Sequence, residues 1–309
     1  MTFQSSDRSH EAVVTIGVFD GVHVGHRALI GRVVERAKQL GIESGCVTFD
    51  PHPQEVLRPG MEIAHLATLS DRIAMIKGLG VSEVLLIEFT RSLARMSPEE
   101  FIELLLERFL LRELWIGSNF ALGRNRAGTP DRLAVIGRAK GFDVMSFPRV
   151  ERGGQMVSSS RIRRLLADGR VEQAAELLGR HYRLRGRVVS GDGRGRSLGF
   201  ATANLAVLER LCVPQDGVYA VRCWLEGVEP FPAVCNIGVR PTFDGDRKQV
   251  EVHLIGFEGD LYGQEMAVEF VTRLRGERRF PSMEALIAQI SEDVKRAKVV
   301  LSRASSPSY

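Results

Sequence analysis

The sequence predicts an α/β domain with a doubly wound parallel sheet, followed by a small antiparallel β-barrel that ends in a helix. Two observations lead to this fold class. Apolar, strand-like runs alternate with segments of helical periodicity in the first part of the chain. Short β-branched segments separated by Gly and Asp turns replace them in the second part. We therefore expect two domains, over residues 11–180 and 181–303.

The first domain opens with a β–α–β unit. Ala12–Phe19 is a continuous apolar run typical of a buried parallel strand, and His26–Leu40 carries apolar residues at helical spacing up to the stop at Gly41. The same reasoning predicts further strands at Gly45–Phe49, Val84–Ile87, Leu114–Ile116 and Phe142–Phe147. It also predicts helices at Leu69–Leu79, from Thr129 to about Gly141, and as a pair within Ser159–Leu178. A capping box at Ser97 opens another helix, which should extend to about Leu111.

Five short segments predict the strands of the second domain: Arg183–Val189, Val218–Leu225, Ala233–Ile237, Val250–Ile255 and Met266–Leu274. A closing helix should begin after the cap residue Ser282. Its apolar stripe is formed by Met283, Leu286, Ile287, Ile290 and Val294. The small polar tail of residues 302–309 is expected to be disordered.

Composition sets limits on the kind of protein. The net charge of +4 in 309 residues is dispersed, which argues against a nucleic-acid partner but suits anionic small substrates. The four cysteines form no Cys-x-x-Cys pair, as expected for buried thiols in a reducing compartment. Without an apolar leader or spanning run, we expect a cytoplasmic protein with no membrane partner; a homo-oligomer stays possible.

The string from Gly17 to His26 is the strongest candidate site. Two histidines separated by a glycine stand where a strand meets a helix, and the free N–H groups of a helix N-terminus favour a phosphate. Imidazole donors can stabilise the charge that develops on a transferring phosphate, so this arrangement suits nucleotidyl transfer. The candidates are His23 and His26 for catalysis and Gly17, Phe19, Asp20, Gly21 and Gly25 for ATP.

A second phosphate-binding string follows much later in the chain. Backbone N–H groups of a glycine-rich loop can form an anion-binding nest, although such a loop alone is more often a plain hairpin. The candidates are Gly191, Gly193, Gly195 and Arg196.

Several strings of the first domain resemble a known family. Gly17–His26 resembles the His-x-Gly-His signature of the nucleotidyltransferase superfamily, and Thr48–Pro53 narrows the match to the FMN adenylyltransferase module of bacterial bifunctional riboflavin kinase/FAD synthetases. Ile116–Gly123 and Val157–Arg163 resemble two further motifs of that module.

The resemblance implies binding roles for residues of these strings. Ser159, Ser160 and Arg161 would hold the β- and γ-phosphates of ATP, and Asp50, Pro51 and Asn119 would contact FMN. The role of Asp50 stays open between a catalytic acid, a metal anchor, a flavin contact and a turn-forming residue before Pro51.

The second domain is similar to the riboflavin kinase of the same family. Gly199–Asn204 resembles the motif Gly-Phe-Pro-Thr-Ala-Asn, which implies Thr202 and Asn204 as ligands of a nucleotide-bound Mg²⁺. Glu251 matches the catalytic base that accepts the proton of the ribityl hydroxyl. Arg275 and Phe280 match a segment that covers the flavin ring.

The sequence departs from the family at a few positions. Ala201 replaces the motif proline, which should loosen the loop, and Gly256 replaces an Asp. Asn119, Ala121 and Leu122 differ from the family in the first domain.

The resemblance, from about Val13 to Lys298, implies phosphorylation of riboflavin to FMN by ATP and Mg²⁺, then adenylylation of FMN to FAD with release of pyrophosphate. Two alternatives remain at this point. Either only one half is active, or the chain is a binding module. Such a module would be a flavin or nucleotide sensor, or an RNA-binding protein built on a synthetase-like fold. His-x-Gly-His also occurs in aminoacyl-tRNA synthetases, but no tRNA-reading domain is evident.

Overall fold

The computed structural model describes residues 10–191, 200–208, 210–242 and 245–304. The chain divides into two compact units, one formed by Met1–Ile63 and Leu69–Val157 and the other by Ala64–Thr68 and Ser158–Tyr309. The functional boundary expected near residue 180 stays a prediction.

The first unit is built on a parallel sheet. Its strands are β1 (Glu11–Ile16), β2 (Glu43–Asp50), β3 (Glu83–Glu88), β4 (Leu110–Gly117) and β5 (Asp143–Phe147), with a small hairpin of β6 (Glu151–Arg152) and β7 (Gln155–Met156). The helices are α1 (Val24–Leu40), α2 (Pro53–Leu57), α3 (Leu69–Gly78), α4 (Arg91–Arg95), α5 (Pro98–Leu106) and α6 (Pro130–Lys140). All neighbours in the order β3-β2-β1-β4-β5 pair in parallel, so the doubly wound sheet is confirmed.

Alternating residues of β1 explain why this sheet is covered on both faces. Val14 and Ile16 belong to one apolar cluster, which includes residues of α5. Val13 belongs to a second cluster, which includes residues of α1. Because successive side chains of a strand point to opposite faces, one apolar strand supplies both cores.

Local signals place most helix ends correctly. Ser97 and Glu100 form the expected capping box of α5, and Thr129 caps α6 by accepting from the backbone N–H of Arg132. Gly41 ends α1 in the left-handed conformation, at a φ of 69°.

Two boundaries were predicted wrongly. The helix that begins at Ser97 ends at Leu106 instead of Leu111, and the following strand already starts at Leu110. β1 ends at Ile16, not at Phe19. In both places an apolar run continues across the boundary, so periodicity alone does not mark it.

The second unit combines two short helices, a barrel and a final helix. The helices are α7 (Ser159–Ala167), α8 (Val171–Leu178) and α9 (Met283–Arg303), and the strands are β8 (Tyr182–Val189), β9 (Ala203–Val207), β10 (Gly217–Trp224), β11 (Phe231–Thr242), β12 (Gly245–Leu254) and β13 (Glu265–Arg275). These strands close an antiparallel barrel in the order β10-β11-β12-β9-β8-β13. The barrel is confirmed, and β9 is the strand that sequence patterns missed.

The last helix packs on the barrel differently from its predicted stripe. Its buried residues are Asp293, Ala297 and Leu301 in the C-terminal half, whereas Met283 is 54% exposed. Ala297 and Leu301 belong to the apolar cluster shared with the barrel, so only this half of the helix contributes fully buried side chains. The helix also includes residues 302 and 303 of the expected disordered tail.

Polar contacts fix the end of α9. The guanidinium of Arg222 on β10 lies 3.3 Å from the carboxylate of Glu269, and both side chains are buried. Arg222 also donates to the backbone carbonyls of Leu301 and Ala304. A charged side chain of the barrel thus satisfies carbonyls that the helix end leaves open.

Candidate active sites

The first site begins with a sharply turned backbone after β1. Phe19 and Val22 have φ angles of 52° and 38°, a region that non-glycine residues rarely occupy. Both are buried, so packing holds this strained conformation. A Cβ on Gly17 would lie 2.9 Å from the Phe19 ring, which explains the glycine. Gly21, at a φ of 73°, completes the turn beside the buried Asp20.

The two histidines stand together at the start of α1. His23 is the N-cap, and its Nδ1 accepts from the backbone N–H of His26 at 3.2 Å. The rings stack with centroids 3.5 Å apart and planes 16° from parallel. A Cβ on Gly25 would lie 3.2 Å from the His23 ring, so glycine relieves crowding here.

This arrangement keeps His26 neutral. Burial, and next the charge of His23, hold the pKa of His26 well below its usual value. Among the described residues, its buried Nδ1 has no hydrogen-bond partner. A neutral imidazole at a helix N-terminus can donate or accept a directed hydrogen bond without adding a second full charge.

Arg72 on α3 is a residue that sequence reasoning missed. Its side chain is 4% exposed, and its guanidinium donates to the carbonyl of Val18 at 3.2 Å and of Phe49 at 2.9 Å. It also lies 3.5 Å from the carboxylate of Asp50. Arg72 therefore joins the segment that follows β1 to the carboxyl end of β2. A charged residue one helical turn from the buried Ile76 was the available signal.

Three predicted site residues lie at or beyond the carboxyl ends of neighbouring strands. Asp50 ends β2, His23 follows β1, and Asn119 follows β4. These strands are adjacent and parallel, so the three residues share the carboxyl edge of the sheet. The strand order reverses at β1, and such a switch point is where ligands bind open α/β sheets. Asn119 and Pro51 are both exposed at this edge.

Ser159, Ser160 and Arg161 lie in the first turn of α7, in the second unit. The helix is capped by Ser158, whose hydroxyl accepts from the backbone N–H of Arg161 at 3.3 Å. The first N–H groups of a helix lack partners within that helix. The phosphate-binding role of these three residues stays a prediction.

The second site centres on β9 and β12. Glu251 is the cross-strand partner of Asn204 on one side and of Asn236 on the other. Gln249, two residues before Glu251, donates to the Asn204 Oδ1 at 2.6 Å and to the Glu251 Oε1 at 2.9 Å. The predicted metal ligand and the predicted base are thus joined through a residue that the sequence analysis did not single out.

Asn204 packs directly against Gly191. A Cβ at Gly191 would lie 1.9 Å from the Asn204 Nδ2, so the position admits only glycine in this arrangement. The other predicted loop residues, Gly193, Gly195 and Arg196, lie outside the described part of the chain.

His253 contacts the segment around Ala201, the residue that replaces the motif proline. Its Nδ1 is 2.8 Å from the carbonyl oxygen of Ala201, and its ring meets Phe200 edge to face at 5.5 Å between centroids. Thr202, the other predicted metal ligand, lies one residue before β9.

Arg275 is held by α9. Its Nε and Nη2 both donate to the buried Asp293 Oδ2, at 3.0 and 2.8 Å, and its Nε also lies 3.2 Å from Oδ1. Its guanidinium also lies 5.7 Å from the centre of the Phe280 ring. The predicted flavin-covering residues thus contact each other, while stacking on a flavin stays a prediction. Gly256 has a φ of 78°, which glycine adopts without strain and Asp less readily.

A parallel α/β unit with a histidine pair at its carboxyl edge, continued by a closed six-stranded barrel, defines a two-unit transferase. Residues 5–161 match the family model described as FAD synthetase, and residues 178–301 match that described as riboflavin kinase.

Curated relatives match both units at once. The bifunctional riboflavin kinase/FMN adenylyltransferase of Pseudomonas fluorescens is 42% identical over 93% of this chain and 92% of its own. That of Escherichia coli is 39% identical over 93% and 91%, and that of Bacillus subtilis 36% over 93% and 92%. The chain belongs to the family of bifunctional riboflavin kinase/FMN adenylyltransferases.

A solved structure shows the same fold. It is titled a macrolide-efflux protein from Streptococcus pneumoniae and superimposes with a TM-score of 0.88 at 30% identity, covering 94% of each chain. Within the described ranges of the present chain, no helix is long and apolar enough to cross a membrane.

Proposed function

We propose that the barrel unit phosphorylates riboflavin to FMN with ATP, and that the parallel-sheet unit transfers AMP from a second ATP to FMN, giving FAD and pyrophosphate. One observation carries this assignment. Each family model covers one distinct cluster of candidate residues: the FAD synthetase match contains the His23–His26 pair, and the riboflavin kinase match contains the Asn204–Glu251 pair.

In the kinase reaction, the ribityl 5′-oxygen bonds to the γ-phosphorus while the bond from that phosphorus to ADP breaks. Glu251 receives the proton of the attacking hydroxyl. Gln249 holds the Glu251 carboxylate toward Asn204, which keeps the base at a fixed place on the β12 face. Arg275 and Phe280 cover the flavin, and Asp293 orients Arg275 for this.

The donor set of this site suits Mg²⁺. The described residues contain no cluster of three or more His, Cys, Asp or Glu that could hold a metal alone. Mg²⁺ commonly uses one or two protein oxygens together with substrate phosphates, and the oxygens of Thr202 and Asn204 are hard donors of this kind. When bound, the ion would neutralise charge on the transferring phosphate. Gln249 occupies one lone pair of the Asn204 Oδ1 and leaves the other.

In the adenylyltransferase reaction, a phosphate oxygen of FMN bonds to the α-phosphorus of ATP and pyrophosphate leaves. The protein supplies positioning and electrostatic stabilisation, without a covalent nucleophile. The start of α1 presents free N–H groups, and the neutral His26 with its partner His23 adds directed hydrogen bonds. Gly17, Phe19, Asp20, Gly21 and Gly25 bind ATP, and Asp50, Pro51 and Asn119 bind FMN. The phosphate contacts of Ser159, Ser160 and Arg161 stay a prediction from the family resemblance.

We also propose a cytoplasmic setting with small-molecule partners only. The dispersed net charge of +4 supports this, as do the four cysteines, which are free and buried. Self-association stays a prediction.

The assignment is tested by chromatography of the flavins formed by the purified chain. Riboflavin with ATP and Mg²⁺ should give FMN first and FAD later, and added FMN should give FAD directly. Glu251→Gln should abolish FMN formation from riboflavin but keep FAD formation from FMN.

Other product patterns select the alternatives. FMN as the sole product confines activity to the barrel. FAD from FMN, without any product from riboflavin, means that Ala201 and Gly256 disable the kinase. Flavin binding without any product contradicts the enzyme assignment and favours a sensor, and salt-sensitive RNA retention favours an RNA-binding protein.

A further inference from the structure

One face of β12 meets the predicted metal-binding segment at three successive positions. Gln249, Glu251 and His253 alternate along the strand and therefore point to the same side. Gln249 bonds Asn204, Glu251 pairs with Asn204 in the strand register, and His253 contacts the carbonyl of Ala201. Of the three, Gln249 is the residue that contacts both functional groups.

Hydrogen-bond chemistry fixes the orientation of the Gln249 carboxamide. An ionised carboxylate only accepts hydrogen bonds, so the atom 2.9 Å from the Glu251 Oε1 must be the amide nitrogen. The same nitrogen lies 2.6 Å from the Asn204 amide, which must then present its oxygen. Both N–H bonds of Gln249 are thereby used, and the Asn204 nitrogen faces Gly191 instead.

The residue opposite Gln249 on β11 cannot replace these bonds. The register partner of Gln249 there is Gly238, which has no side chain, and the nearest charged group beside that glycine is the carboxylate of Glu277. The orientation of the Gln249 carboxamide therefore depends on its two hydrogen bonds, and these in turn set Asn204 and Glu251 relative to each other.

We propose that Gln249 is a positioning residue of the riboflavin kinase reaction, which fixes the oxygen of Asn204 and the carboxylate of Glu251 as one preorganised pair. This inference rests on the proposed roles of Asn204 and Glu251. Partners that orient a metal ligand or a base in this way commonly contribute tenfold to a hundredfold to activity.

The first test is the kinetics of Gln249→Leu in the full chain. We expect kcat for FMN formation to fall about 10- to 100-fold, with a much smaller change in the KM for riboflavin. The adenylyltransferase activity from added FMN should stay unchanged. A KM for riboflavin close to that of the parent shows that the barrel of the variant is folded. Gln264→Leu is the matched control, because Gln264 is exposed just before β13 and its side-chain amide donates to the backbone carbonyl of Asp260.

A second variant separates shape from hydrogen bonding. Gln249→Glu keeps the size of the side chain but removes both donors and places a like charge beside Glu251. The proposal expects a loss of kcat at least as large as that of the leucine variant. A packing role would leave this variant close to the parent.

A spectroscopic measurement tests the network without substrate or metal. The side-chain amide protons of Gln249 give one pair of ¹⁵N-correlated signals, identified by their loss in Gln249→Leu. Glu251→Gln and Asn204→Ala should each shift that pair in the ligand-free chain.

The outcomes distinguish this proposal from the broader assignment. A parent chain that forms no FMN contradicts the kinase function itself. The positioning role alone is overturned if the parent forms FMN and the Gln249 variants form it at the same rate. It is also overturned if the Gln249 amide signals do not shift in either Glu251→Gln or Asn204→Ala.

Discussion

The two candidate sites are held in shape by different means. The first site is shaped mainly by local backbone conformation. Buried residues at positive φ turn the chain after β1, and the two histidines stack at the start of α1. In the second, side chains form the framework, through the bonds that join Gln249 with Asn204 and Glu251.

The difference teaches where each site is sensitive. A site made by local backbone tolerates changes that keep the turn and the cap, while a site made by long-range hydrogen bonds fails when one partner moves. The turn and the histidine pair of the first site lie within Gly17–His26, whereas Gly191 and Glu251 of the second site are far apart in the sequence.

The largest effect should come from His23→Asn. Asparagine is a good N-cap and still accepts from the backbone of His26, so the fold should keep its stability. The imidazole is lost, and we expect adenylyltransferase activity to fall about 10²- to 10³-fold with kinase activity unchanged. The measurements are FAD formation from FMN and thermal unfolding.

His52→Asn is the control for that substitution. His52 caps α2 through its Nδ1 in the same manner, by accepting from the backbone of Gln54 at 3.1 Å. The adenylyltransferase activity of His52→Asn should stay near that of the parent. A fully active His23→Asn chain would show that capping is the whole role of His23.

An intermediate effect is expected from Gly191→Ala. The added methyl group would collide with the Asn204 amide, and the displaced amide should lower FMN formation about tenfold. Rates of FMN formation at several Mg²⁺ concentrations measure this. Gly31→Ala serves as the control, because a Cβ there meets nothing within 4 Å. An unchanged rate would mean that the Asn204 orientation does not matter for the reaction.

The smallest effect concerns stability in acid. The pKa of His26 is lowered in the folded chain, mainly by burial, and returns to about 6.5 on unfolding. The unfolded state therefore takes up more protons below pH 6.5, and the free energy of unfolding falls as the pH drops through that range. Well above pH 6.5, His26 is neutral in both the folded and the unfolded state, and its ionisation no longer lowers the free energy of unfolding.

His26→Gln should weaken this pH dependence by up to about 1.4 kcal/mol per pH unit. His181 in the other unit also has a pKa lowered chiefly by burial, so the measurement must follow the unfolding of the first unit separately. Denaturant unfolding of a Trp224→Phe background, followed through Trp115, reports on the first unit. Equal pH dependence with and without His26 would contradict the prediction.

Local sequence patterns predicted the parallel sheet, the helix caps and the histidine motif, because each depends on residues a few positions apart. Ser97, Thr129 and Gly41 are examples in which one turn of chain carries the whole signal. The end of α5 was misplaced because the apolar residues 109–111 suit a helix as well as a strand.

Arg72, Gln249 and β9 were missed for another reason. Each is defined by partners far away in sequence: Arg72 by the ends of two strands, and Gln249 by a strand about 45 residues earlier. A short strand such as Ala203–Val207 shows its nature only through its neighbours in the barrel. The motif resemblance identified Asn204 and Glu251 but not Gln249, whose side-chain amide bonds both of them.

The Arg222 contacts with the end of α9 also bear on how the chain is made. Arg222 leaves the ribosome well before the carbonyls of Leu301 and Ala304, which follow 79 and 82 residues later in the chain. Until then, Arg222 and Glu269 stand in the barrel without the helix that covers them. The barrel can therefore cover this ion pair only after α9 has been synthesised, so its last packing step follows the synthesis of all its strands.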